Sequence, residues 1–205
     1  GDYVKVRFYD GSILLESRVI PRGDSITSTP SFQKYGYTFN GWSDEDLTNI
    51  EGDLDIQASF TPIVYTITFD GNGGSEVQGL DVSYLSEVTA PEDPVRTGYT
   101  FDYWYESDSE VPYEFSTMPP YSFTLHANWT INQYVVTYDI QGNLSTETVE
   151  FGNLLADIPA TEITGYQFLE WRYLGEAIDL DSYVQIADDV LFTAVYLDVA
   201  GPVID

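Results

Sequence analysis

The sequence predicts an α+β, mostly β chain made of three small tandem modules, and three observations lead there. The motif Gly36-Tyr37-Thr38-Phe39-Asn40-Gly41-Trp42 recurs as Gly98-Tyr99-Thr100-Phe101-Asp102-Tyr103-Trp104 and as Gly165-Tyr166-Gln167-Phe168-Leu169-Glu170-Trp171. A spacing of roughly 60–70 residues marks tandem copies of one unit. Each copy opens and closes on strand-like residues, most of them alternating apolar and polar. No segment keeps a helical period beyond a single turn.

The opening strands are Val4-Lys5-Val6-Arg7-Phe8, Tyr65-Thr66-Ile67-Thr68-Phe69 and Tyr134-Val135-Val136-Thr137-Tyr138. A turn follows each: Asp10-Gly11-Ser12, Asp70-Gly71-Asn72-Gly73-Gly74 and Gln141-Gly142-Asn143. Gly and Asn there supply the positive φ of hairpin turns. The copies then align without gaps over 20–42, 82–104 and 149–171. Single helical turns are expected near 84–88 and 153–158, each stopped by a proline. Ser107-Asp108-Ser109-Glu110 and Leu174-Gly175-Glu176 read as hairpin tips in an insertion that the first copy lacks. The closing strands hold Ala58, Ala127 and Ala194 mid-row between larger residues. A small residue there predicts close passage of another element.

The modules are therefore expected at 1–62, 63–131 and 132–198, with 199–205 a linker into a further module and the whole an excised fragment. Thr61-Pro62-Ile63 and Thr130-Ile131-Asn132-Gln133 form the seams, too short to act as floppy tethers. Modules with a radius of gyration of ~11 Å, set in line, predict an extended rod of roughly 80–110 Å.

Seven basic residues face 34 acidic ones, a formal net charge of −27. Such a field repels nucleic acid and anionic membrane surfaces. Five of the seven basic residues (Lys5, Arg7, Arg18, Arg22 and Lys34) lie in the first copy. With no cysteine there is neither a disulfide framework nor thiolate chemistry. No apolar run approaches the ~20 residues of a membrane-spanning helix, no signal peptide is read, and the chain is expected to be monomeric. Stability is left to packing, which suits an aromatic content of 16%.

Several residues are candidates for a site. Gly36, Tyr37, Phe39 and Trp42, with Gly98, Tyr99, Phe101, Trp104, Gly165, Tyr166, Phe168 and Trp171, could make a sugar-stacking platform. A shared core signature weighs more, because every copy of a small domain needs a core. Tyr and Phe two apart share a strand face, and Trp joins them only if a bulge intervenes, for which Gly41 is suited. Arg22-Gly23-Asp24-Ser25 spells the tripeptide that integrins read, beside the plainer reading of a polar turn. Tyr84-Leu85-Ser86 and Phe151-Gly152-Asn153 fill that slot elsewhere. Asp70, Asn72, Asp179 and Asp181 are calcium-type donors, with Asp44-Glu45-Asp46 and Asp188-Asp189 as further acidic clusters, but no complete twelve-residue loop surrounds them. A solvated acidic face is the stronger expectation. His126, the single histidine, reads as an exposed strand residue, with no partners for zinc and no nucleophile elbow. Lys5 and Lys34 lack counterparts that would suit isopeptide crosslinks. Asn128-Trp129-Thr130 and Asn143-Leu144-Ser145 are incidental glycosylation-like tripeptides. No catalytic residue and no cofactor is expected.

In the second copy, Phe69-Asp70-Gly71-Asn72-Gly73-Gly74, Val88-Thr89-Ala90-Pro91, Gly98-Tyr99-Thr100-Phe101, Trp104-Tyr105 and Leu125-His126-Ala127-Asn128-Trp129 arrive in order. Together they resemble the Listeria–Bacteroides repeat, the internalin-type B-repeat. The third copy departs from the pattern, with Glu170 in place of the usual Gly before Trp171 and a degraded Asp-Gly-Asn turn. The first resembles a shorter variant that keeps Phe8-Tyr9-Asp10-Gly11 and Gly41-Trp42. The resemblance implies three ubiquitin-like β-grasp repeats, residence on the outer surface of a bacterium and a non-enzymatic role. Spacer or stalk is the expected role, with adhesion to a host or matrix protein or glycan as the alternative.

Overall fold

The computed structural model describes residues 1–43, 46–182 and 186–201. Among these residues the chain is all β, with three sheets and no helix. It divides into two compact units. The first comprises Gly1–Asp70, Val77–Glu92 and Glu106–Leu125; the second comprises Gly71–Glu76, Asp93–Tyr105 and the chain from His126 onward.

The first sheet contains β1 (Tyr3–Asp10), β2 (Ile13–Pro21), β3 (Tyr37–Trp42) and β4 (Leu54–Pro62) in the order β2-β1-β4-β3. Its central pair, β1 and β4, is parallel, and β2 and β3 flank it antiparallel. The second sheet has β5 (Val64–Asp70), β6 (Leu80–Ser83), β7 (Tyr99–Glu106) and β8 (Phe123–Ile131) in the order β6-β5-β8-β7. The third has β9 (Gln133–Ile140), β10 (Asn143–Glu150), β11 (Tyr166–Tyr173), β12 (Glu176–Ile178) and β13 (Val190–Asp198) in the order β10-β9-β13-β11-β12, again with a parallel centre, β9 and β13.

Period-2 alternation decides which face is buried. In β1, Val4, Val6 and Phe8 are buried while Lys5 points outward. Leu47, Ile50 and Ile56 complete that core, with Ile20, Ile26, Trp42 and Leu54 packed against it. In the third copy Val136, Tyr138, Trp171, Leu180, Ile186 and Phe192 form the corresponding cluster. In the second copy Ile67, Phe69, Val88, Met118 and Leu125 are buried within the first unit.

The helical turns expected near 84–88 and 153–158 do not form, and the physical reasons are local. Leu85 has φ 64 and Gly152 has φ 80, left-handed values that interrupt a right-handed turn. Beyond them the backbone finds partners across the module. Val88 N–H donates to the Ser116 carbonyl (2.7 Å) and Met118 N–H to the Ser86 carbonyl (2.8 Å); in the first copy Ile26 N–H donates to the Leu47 carbonyl (2.8 Å). In the third copy the Glu147 carboxylate accepts the amides of Ala156 (3.1 Å) and Asp157 (3.2 Å). Loop residues such as Ile50, Met118 and Ile186 help cover the sheet face.

The same pin recurs in all three sheets. The residue just before the closing strand accepts the amide of the third opening-strand position. Asp53 accepts from Lys5 (2.8 Å), Ser122 from Thr66 (2.9 Å) and Asp189 from Val135 (2.7 Å). Such a bond satisfies a donor that the parallel register, starting at Val6↔Leu54 and Val136↔Val190, leaves over. The Leu174-Gly175 tip is a true two-residue hairpin, with φ 49 and 89. The 107–110 tip is a turn closed by Ser109 N–H to the Glu106 carbonyl (2.9 Å), with no strand returning from it.

Candidate functional site

The recurring motif does two jobs. Its aromatic residues are packing groups. A bulge falls between Phe39 and Gly41 and again between Phe168 and Glu170. It absorbs one residue, so Phe39 stands opposite Phe60 and Trp42 opposite Ala58, two places apart on one face of β4. The bulge needs no glycine, since Glu170 occupies the Gly41 position in the third copy. The rings then meet: Phe39–Trp42 and Phe101–Trp104 centroids lie 5.3 Å apart, and Phe168–Trp171 5.8 Å. Trp104 and Trp171 are buried. Trp42 is half-buried, and its indole N–H donates to the Pro30 carbonyl (3.0 Å). Tyr37 and Tyr99 are half-buried, and Tyr166 is exposed, edge-on to Tyr196.

The glycine that opens the motif does the second job, which sequence reasoning missed by counting it only as part of a core signature. Gly36 has φ +78, and a Cβ added to it would lie 2.3 Å from Cδ1 of Tyr84, in the next copy. Gly98 also has φ +78, and its Cβ would lie 2.0 Å from Cδ1 of Phe151. Each glycine is therefore a seat for an aromatic ring from the following copy. The backbone bonds repeat as well. Ile63 N–H donates to the Gly36 carbonyl (2.9 Å), and the Ile63 carbonyl accepts from Tyr84 N–H (2.8 Å). Asn132 bridges Gly98 and Phe151 in the same way, at 2.9 Å each. Tyr84 also meets the motif's Tyr37 edge-on at 5.4 Å. Sequence and backbone thus build one joint twice: glycine, seam residue, ring. The available signal was the pair of aromatic residues, Tyr84 and Phe151, in a slot that had read as a polar turn.

At Gly165 the Val199 amide makes the same bond (2.9 Å), and the nearest atom to an added Cβ is the Ala200 methyl, at 3.4 Å. Clefts lie beside the first and third motifs. One, of about 580 Å³, is walled partly by Ile63 and Tyr65 from beyond the seam. The other, of about 520 Å³, is lined by Thr161, Glu162, Ile163, Thr164, Tyr166 and Phe168.

The remaining candidates do not converge. Arg22 and Asp24 are exposed, and Gly23 and Asp24 are fixed through backbone bonds to Ile50 and Pro21. Asp179 receives the Asp181 amide (3.1 Å) and the Ser182 hydroxyl (3.0 Å), so its oxygens serve a local turn. Asn72 donates to the Ala127 carbonyl (3.2 Å), and Asp70 is exposed. Asp44 and Glu45 lie outside the described residues; the Asp46 carboxyl is held below its ordinary range by the Thr48 hydroxyl and amide. Among the described residues no three His, Cys, Asp or Glu side chains group as metal ligands. His126 differs from expectation: it is half-buried, its ring 5.7 Å from that of Tyr105 on the same sheet. Burial, followed by a bond to Glu147, pushes the Tyr138 phenol far above its ordinary range.

Tandem copies, sheets with a parallel centre and a shared joint define a repeat protein. The profile of the Listeria-Bacteroides repeat domain matches residues 9–61, 65–128 and 134–195. The chain belongs to this family. Internalin H of Listeria monocytogenes serovar 1/2a is 32% identical over 146 residues, covering 70% of this chain and 26% of that protein. A putative Gly-rich membrane protein of Evansella cellulosilytica is 33% identical over 162 residues, covering 73% of this chain and 19% of its own length. A second putative membrane protein from that organism is 29% identical over 153 residues, 68% of this chain and 23% of that protein. The chain thus spans about a fifth to a quarter of these relatives.

Proposed function

We propose that the chain is a non-enzymatic repeat region of a bacterial cell-surface protein, held outside the cell as an extended spacer. The observation that supports this most is the twice-built joint of Gly36 with Tyr84 and Gly98 with Phe151. A ring seated on a glycine, with two backbone bonds at the seam, resists hinge motion between adjacent copies. Self-repulsion at a net charge of −27 opposes collapse. The names of the relatives, internalin and membrane proteins, support a cell-envelope location. Each module is read as a β-grasp fold in which a loop takes the helix's place; the parallel central pair supports this. Small-angle scattering tests the spacer role: a maximum dimension no larger than that of a compact 205-residue globule overturns it.

Adhesion through this chain is the second reading, favoured by the exposure of Arg22 and Asp24. Loss of cell attachment in Asp24→Ala, with the melting curve unchanged, would promote it.

A further inference from the structure

We propose that Arg22 is the ring-equivalent of a third joint, whose glycine lies on a module of the same kind in the polypeptide ahead of Asp2. This rests on the spacer reading and extends it to the leading end of the chain. Arg22 aligns with Tyr84 and Phe151. Its amide donates to the Asp2 carbonyl (2.9 Å), as Tyr84 does to Ile63 and Phe151 to Asn132. Asp2 is therefore the seam residue of that joint, and both of its internal counterparts also donate an amide to a motif glycine.

The side chain suits the seat. A guanidinium is flat like the rings it replaces, and it stacks on aromatic faces. In the filled joint Tyr84 touches both Gly36 and the adjoining Tyr37. Arg22 set in the same way over a glycine and its neighbouring tyrosine gains a cation–π contact. It also places a cation in a strongly acidic chain. The guanidinium donates from Nη1 to the Glu51 carbonyl and its Nε lies 3.8 Å from the Asp2 carboxylate, bonds made at its edge, while the side chain stays 49% exposed. The partner's chemistry follows from the internal joints. It is a glycine at positive φ followed by an aromatic residue, roughly 27 to 34 residues before Asp2. Those are the separations of Gly36 from Ile63 and of Gly98 from Asn132.

The test uses the natural protein, carrying the chain together with the polypeptide that precedes it, and reads the rotational correlation times of the modules by ¹⁵N relaxation. Arg22→Ala is expected to abolish the tumbling time shared by the leading module and the first copy. Arg22→Phe is expected to retain it, because the internal joints use rings. A preceding polypeptide without the glycine–aromatic pair at that spacing overturns the inference, as does a shared tumbling time that survives Arg22→Ala. So does integrin-dependent attachment abolished by Arg22→Phe, since the guanidinium then serves a receptor. Tyr84→Ala and Phe151→Ala in the same molecule separate the two readings. If they uncouple their modules while Arg22→Ala does not, this inference fails and the spacer stands. A compact scattering envelope sinks the spacer itself.

Discussion

Trp171 stands directly across the β11–β13 pair from Ala194, and Trp42 stands in the same relation to Ala58 on β4. An indole needs a small residue opposite when both face a closed core. Ala194 is 8% exposed and Trp171 7%. Ala194→Leu is expected to destabilise by about 1–3 kcal/mol through overpacking, read by chemical denaturation. Thr193→Leu, on the opposite and exposed face of the same strand, serves as the control. Equal stability of Ala194→Leu and the parent would sink the pairing argument.

The two joint glycines and Gly165 make an internal comparison. All three have positive φ, so alanine costs each about 1–2 kcal/mol of backbone strain. Gly36→Ala and Gly98→Ala must also displace a ring from the neighbouring copy, whereas Gly165→Ala meets only the Ala200 methyl. The first two are expected to lower the melting temperature more, and only they should uncouple the modules in relaxation measurements. Three equal effects would reduce the joint to a set of ordinary turns.

Asp53 and Asp189 each hold an opening-strand amide at the start of a parallel pair. Removing either by Asp→Ala is expected to cost roughly 1 kcal/mol or more, as for a bond to a charged acceptor. Asn at the same positions keeps an acceptor oxygen and should recover part of the loss. Hydrogen exchange at Lys5 and Val135 reads the effect site by site; unchanged protection there argues against the pin.

The buried Tyr138 predicts an alkaline limit. Its phenol is raised by burial and by the bond to Glu147, so the fold favours the neutral form. Stability from this group is full below the unfolded value near pH ~10 and falls as pH rises through the higher folded value. Denaturation between about pH 8 and 11 should show a declining limb above ~10. Tyr138→Phe is expected to flatten that limb while lowering stability at neutral pH, because Glu147 loses a donor. An unaltered alkaline slope in Tyr138→Phe would assign the decline to other tyrosines.

Much of this architecture is legible in the chain itself. Strand positions, buried rows, hairpin glycines, the threefold repeat and the family all follow from short-range patterns, because strand period and turn chemistry are local properties. The possible bulge at Gly41 was legible too, although only the sheet register established it, and Glu170 shows that glycine is not its cause. What tertiary structure alone decided lies between distant residues. Leu85 and the Glu147 carboxylate divert segments that read as helical into irregular, non-helical connections. Asp53, Ser122 and Asp189 find their amides some fifty residues away. The motif glycine looks like a turn residue until the ring of Tyr84 or Phe151 is seen upon it, again about fifty residues along the chain. A contact of that range has no period, and one empty side chain does not announce which ring will fill it.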